Sequence, residues 1–280
     1  MKIALCNEVI REMDFAAQCQ YAAALGYDGL EVAPFTLDEN PHRLPSSTRS
    51  ELRRLATDAG IEITGLHWLL VTPKGLSINA KDVSVRQKTV DVMRGLIDLC
   101  ADLAGRVLVH GSPAQRTVPS DDNIPDAWLR ARDCLAAVAD PAESANVLYC
   151  IEPLSPRDTN FINTVGEAVR MLEAIGSPAI RTMVDSCAAS QSEAVPVAEV
   201  IEHWLPTGNV RHIHVNDPNR RGPGQGDLEF TSVFGTLVRH GYGGIVSVEP
   251  FDYHPNGPAS AARAIGYVRG ILEGLSHQPA

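Results

Sequence analysis

Eight times along this chain a short apolar run passes into a longer segment with one apolar face at helical spacing. IALCN leads to DFAAQCQYAAALG, GLEVAP to STRSELRRLATDAG, EITGLHWLL to VSVRQKTVDVMRGLIDLCADLAG, and RVLVHG to AWLRARDCLAAVADPAESA. The second half repeats the order, with VLYCIEP before VGEAVRMLEAIG, IRTMVD before VPVAEVIEHWL, VRHIHV before FTSVFGTLVRHG, and IVSVEP before ASAARAIGYVRGILEGL. Strand–helix alternation of this kind predicts a parallel sheet with right-handed crossovers. Eight units in 280 residues favour a closed barrel, which needs roughly 250 residues. The first strand–helix turn lacks the glycine fingerprint of an open dinucleotide-binding sheet. The expected fold is α/β, a single-domain (β/α)8 TIM barrel over residues 1–280. Ser46 or Ser47 is expected to cap the second helix and Gly60 to end it.

Composition narrows the partners. The net charge of −10 argues against a polyanionic partner such as nucleic acid, whose binders carry a basic face. No stretch approaches the about 18 apolar residues of a membrane span, and MKIALCNEVI turns polar too early for a signal-peptide core. Cys6, Cys19, Cys100, Cys134, Cys150 and Cys187 are scattered without a CxxC pair, so no disulfide framework is expected. A cytoplasmic protein with a small-molecule substrate is the expectation.

Chemistry concentrates at the ends of the apolar runs. Glu152 closes LYCIEP, Asp185 closes IRTMVD, His214 closes VRHIHV and Glu249 closes IVSVEP. In a closed parallel barrel every strand delivers its C-terminal end to one mouth, so these four side chains meet there. Packed carboxylates repel and raise one another's pKa, and a cation relieves this. Three oxygen donors and one imidazole suit one divalent ion, Mn²⁺ first, with Mg²⁺, Co²⁺ or Zn²⁺ as alternatives. Glu31, His67 and His110, in the second, third and fourth runs, are candidates for the same mouth, with Trp68 beside them. His212 is assigned to the opposite side of its strand from His214, in a structural role.

EPLSPRDTNF (152–161), VDSC (184–187), HIHVNDPNRRGPGQGDLEF (212–230) and VEPF (248–251) resemble the xylose isomerase-like barrels, and among them ketose 3-epimerases of the tagatose/psicose type. The resemblance runs the length of the chain. It implies Glu152, Asp185, His214 and Glu249 as metal ligands, with Glu152 and Glu249 also the acid/base pair on opposite faces of a sugar. It implies substrate contacts for Asp158 and Arg220, and a homodimer or homotetramer. The implied reaction is epimerisation or isomerisation of a ketose or keto-sugar through an enediolate.

The chain departs from that pattern at Ala188, where the epimerases carry a substrate-binding His. Asp158 replaces Glu. A larger or differently oxidised sugar, such as a 3-keto-glycoside, then becomes a candidate substrate. A lyase or dehydratase acting on a keto-sugar or keto-inositol is the alternative outcome of the same proton abstraction. Endonuclease IV, a DNA-repair relative, uses histidines at positions matching His67 and His110, which raises a second metal held by His67, His110 and Glu152. Ala188 and a single Asp227 in GQGDLEF fail its remaining requirements. The glycine-rich RRGPGQGD loop (220–227) reads either as a phosphate site or as a tight turn.

Overall fold

The computed structural model describes residues 1–277. Eight parallel strands close on themselves in sequence order. They are β1 (Lys2–Cys6), β2 (Gly29–Val32), β3 (Glu62–Leu66), β4 (Val107–His110), β5 (Leu148–Ile151), β6 (Ile180–Asp185), β7 (Val210–Val215) and β8 (Ile245–Val248). Closure is made by β1 against β8, with Ile3 opposite Val246 and Leu5 opposite Val248. The outer helices are α1 (Phe15–Leu25), α2 (Ser46–Asp58), α3 (Val83–Asp102), α4 (Ile124–Ala136), α5 (Ala139–Ser144), α6 (Val165–Ile175), α7 (Ser186–Ser192), α8 (Val197–Trp204), α9 (Phe230–Arg239) and α10 (Gly257–Ser276).

The eight strand–helix units stand as expected, with two additions. The predicted 127–145 helix breaks into α4 and α5, and the short α7 grows straight out of β6. Local chemistry sets the helix ends. Asp14 caps α1 by accepting from the Ala17 N–H, and Thr164 with Glu167 forms a full capping box on α6. Gly176 ends α6 at φ 73°, a left-handed conformation that glycine adopts without steric cost. Ser46 and Ser47 are not caps, because both are already helical and Pro45 precedes them without a side-chain bond. Gly60 does follow the end of α2, at φ 78°.

The main apolar core fills the layer between strands and helices, including Leu30, Leu66, Leu96, Phe230 and Phe234. A second, small cluster of Val107, Val109, Cys150 and Met183 plugs the barrel interior. That plug sits beneath the C-terminal mouth, so polar side chains in the upper layer rest on a packed apolar floor. All six cysteines are free and buried. No helix among the described residues is long and apolar enough to cross a membrane.

Candidate metal centre and adjoining cavity

Each of the last four strands contributes one side chain to a single point. Glu152 follows β5, Asp185 ends β6, His214 is the fifth residue of β7, and Glu249 follows β8. One potential ligand atom from each lies within 4.8 Å of all the others, and all four side chains are buried. His214 Nδ1 is 2.8 Å from Glu249 Oε2, and its Nε2 is 3.1 Å from Glu31 Oε1. An ionised Glu31 can only accept, so Nε2 carries the proton and Nδ1 faces the cluster. This is how an outer carboxylate fixes the tautomer and ring plane of a metal-binding imidazole.

Asp185 does two jobs. Its Oδ1 caps α7 by accepting from the Ala188 N–H at 2.7 Å, while Oδ2 is buried with no partner. Burial, and then the Glu249 charge, push the Asp185 carboxyl up to about 7. Burial, again followed by Glu249, raises Glu152 well above the ordinary carboxylate range. Burial disfavours charge on His214, but Glu249 and Glu31 outweigh it and raise its pKa well above the usual value. An orphaned carboxylate oxygen, two carboxyls with raised pKa and a pre-oriented imidazole fit a divalent cation as their common partner.

Beside this cluster lies a cavity of 170 Å³, with Glu152, Asp185 and Glu249 in its wall. Trp68, Asp158 and Arg220 also line it. Trp68 stacks edge-on against Phe35 (5.3 Å) and Phe251 (5.8 Å), and the Arg220 guanidinium lies 4.9 Å from the Phe251 ring. Arg220 and Asp158 approach to 3.9 Å. Ala188 lines the cavity as well, so the imidazole missing from the sequence pattern is missing from the wall. A larger hollow of 880 Å³ opens at the opposite end, among the strand starts Lys2, Glu62, Leu148 and Ile245, away from the four-residue cluster.

Three candidate side chains lie behind the cavity wall rather than in it. Glu31 is fully buried and saturated by His212 Nε2 (2.8 Å), His214 and the Ser247 hydroxyl. Burial alone would raise its pKa, yet the two imidazoles bring it well below the ordinary carboxylate range. His67 is also buried, bonded to Glu8 Oε2 at 2.8 Å. His110 is bonded to the Tyr149 hydroxyl at 3.0 Å, and burial together with the Arg116 charge pushes its pKa down to about 3. Their proposed grouping with Glu152 is not found. Among the described residues His67 clusters instead with Cys6, Glu8 and Glu249, and His110 joins no cluster. His212 is corrected too. Residues two apart on a strand share a face, so His212 points inward with His214 and supports the same Glu31.

Several contributors carried no distinctive motif. Asn216 donates to the Glu249 carbonyl (3.0 Å) and accepts from the Cys187 N–H (2.9 Å), joining the ends of three strands. Gly111 lies against the Glu152 carboxylate, leaving no room for a Cβ. Arg116 is fully buried, and none of its guanidinium nitrogens has a partner. Glu8 lies two residues beyond β1, after the polar Asn7, so the strand-end pattern passed over it. In the glycine-rich loop, the N–H groups of Gln225 (2.9 Å) and Leu228 (3.0 Å) are spent on the buried Asp217 carboxylate. That makes it a turn wrapped on Asp217 rather than a phosphate cradle.

The chain belongs to the xylose isomerase-like TIM barrel family, whose model matches residues 19–271. An L-ribulose 3-epimerase from Mesorhizobium japonicum is 28% identical over 178 residues, covering 62% of this chain and 58% of that protein. A fructoselysine 3-epimerase from Shigella flexneri is 26% identical over 267 residues, covering 90% and 91%. The crystal structure of D-psicose 3-epimerase with D-tagatose from Clostridium cellulolyticum H10 superposes with a TM-score of 0.82 at 21% identity, covering 97% of this chain and 99% of that one.

Proposed function

We propose that this chain is a divalent-metal-dependent epimerase of a ketose or keto-sugar, with Glu152, Asp185, His214 and Glu249 holding one Mn²⁺ or similar ion. The observation that carries the reading is the four-side-chain cluster beside a small cavity, with its three carboxylates, Glu152, Asp185 and Glu249, in the cavity wall. The 3-epimerases among the chain's relatives support the same reading. A bound divalent ion supplies Lewis-acid stabilisation for negative charge developing on a substrate carbonyl oxygen.

The remaining work falls to the chain. Removing the proton α to a carbonyl leaves an enediolate, and returning it to the other face inverts that carbon. Glu152 and Glu249 are two of the three buried carboxyls at the cavity wall, and they serve as the pair, one to take the proton and one to deliver it. Arg116 lies close enough to favour the ionised form of Glu152, although Glu249 and Asp185 oppose it. Asp158 and Arg220 bind hydroxyls at the outer side of the cavity, and the Trp68–Phe251 pair gives the sugar an apolar face to pack against. Ala188 leaves space in the wall, which favours a substituted or keto-sugar over a simple hexose.

The test is incubation of Mn²⁺-loaded protein in D₂O with a panel of ketoses and 3-keto-sugars. Deuterium at the inverted carbon of a recovered epimer, lost in Glu152→Gln and Glu249→Gln, supports the proposal. An unsaturated or dehydrated product assigns the same site to a lyase. No exchange with any member of the panel in metal-loaded protein counts against the reading.

A further inference from the structure

A second group of ligating side chains lies on the far side of Glu249. Cys6, Glu8, His67 and Glu249 each present one ligand atom within 4.8 Å of all the others, and all four are buried. None of the four residues except Glu249 belongs to the first cluster. Glu249 turns one oxygen to each group, with Oε2 2.8 Å from His214 Nδ1 and Oε1 3.7 Å from His67 Nε2. A carboxylate with one oxygen at each of two donor sets has the form of a bridge between two cations.

The positions are rigidly held. Cys6 ends β1, and Glu8 follows on a single 3-10 turn, Asn7–Ile10. Asn7 pins that turn by accepting from the Ala33 N–H (2.8 Å) and donating to Gln18 (3.0 Å). His67 follows β3, one residue from the cavity-lining Trp68. Glu8 spends Oε2 on His67, while Oε1 is buried with no partner. A plain Glu8–His67 ion pair accounts for one oxygen and one nitrogen, but leaves Glu8 Oε1 and the Cys6 sulfur without a use. Cys6 is also within reach of Glu31 and His214, but both Glu31 oxygens are taken by His212, His214 and Ser247, whereas Glu8 keeps Oε1 without a partner. Glu8, His67 and Glu249 are the partners left to it.

The geometry points to a second divalent-cation site formed by Cys6, Glu8 and His67 and bridged through Glu249 to the first. One thiolate, one imidazole and two carboxylates are the ligand set of a borderline-soft ion such as Zn²⁺, whereas the first set of three carboxylates and one imidazole suits Mn²⁺ or Mg²⁺. The two sites therefore differ in metal preference while sharing a ligand. A cation at the second site would fix the orientation of Glu249 from behind.

Sulfur makes the second site separately visible, because the first contains none. Metal-free protein is titrated with Co²⁺, following bound equivalents by calorimetry and thiolate-to-cobalt charge transfer by near-ultraviolet absorption. The expected result is two equivalents per chain with a charge-transfer band. Cys6→Ser should retain one equivalent and lose the band. Glu8→Gln should weaken the second equivalent, and Cys187→Ser, a thiol at the cavity wall, should leave the band in place. A single equivalent without a band in the unsubstituted protein overturns the inference, whether or not any variant folds. So does a band that survives in Cys6→Ser. Asp185→Asn should lose the first equivalent and keep the band, whereas a single equivalent with the band in the unsubstituted protein, unchanged in Asp185→Asn, would count against the proposed epimerase centre and leave this one standing.

Discussion

Gly111 shows how closely the site is packed at single residues. A methyl group there would overlap Glu152 Oε2, so Gly111→Ala has to push the carboxylate aside. Turnover should drop by at least about tenfold with only a small change in thermal midpoint, read by steady-state kinetics beside calorimetry. Direct removal of the acid/base groups goes further. Glu152→Gln and Glu249→Gln should each lower turnover by about 10²–10⁴-fold, measured as epimerisation by metal-saturated enzyme. Glu152, Asp185, His214 and Glu249 were legible because each is a charged or imidazole group ending an apolar run. Glu31 was legible as an acid within the second apolar run, but not as the partner of His214. That bond spans 183 positions of sequence, and only closure of β1 on β8 creates the neighbourhood. Arg116 and Asn216 lie in loops with no periodicity to mark them.

At the scale of elements, the site depends on how neighbouring strand ends are tied together. Asn216 bridges from β7 to the residue after β8 and to the start of α7, and the Ser186 hydroxyl bonds the Asn216 carbonyl at 2.7 Å. Asn216→Ala leaves a buried carbonyl and a buried N–H unsatisfied. It should cost about 1–3 kcal/mol by chemical denaturation. It should also weaken metal binding by about 10–100-fold in a calorimetric titration, since it holds ligands without touching the ion. The order of strands and helices was readable because each apolar run and each helical face is long enough to show its period. The α7 turn was not, because its seven residues carry no apolar face and start on the side chain of Asp185 itself. The apparent capping serines of α2 failed for a related reason: several adjacent hydroxyls offer alternative starts, and Pro45 sets the actual one.

For the whole molecule, the barrel mouth collects Glu8, Glu31, Glu152, Asp185 and Glu249 in its interior, a charge load that makes stability depend on cations and pH. Burial and the Glu249 charge push the Asp185 carboxyl of the folded chain up to about 7, from an ordinary value of 3.8 that the unfolded chain keeps. The metal-free folded state therefore holds the extra proton between those values, and stability from this group falls as pH rises through that window. A bound cation takes the place of the proton. Chelation should lower the thermal midpoint more at about pH 8 than at about pH 5, where the proton partly substitutes for the ion. Fold class was legible from eight alternations alone, whereas the site's inner layer depended on contacts that exist only once the cylinder closes. The most direct test of the account is anomalous diffraction from crystals soaked in Mn²⁺. The account predicts a peak bonded to Glu152, Asp185, His214 and Glu249 together. Manganese found elsewhere, or those four side chains left without it at saturating concentration, would contradict it.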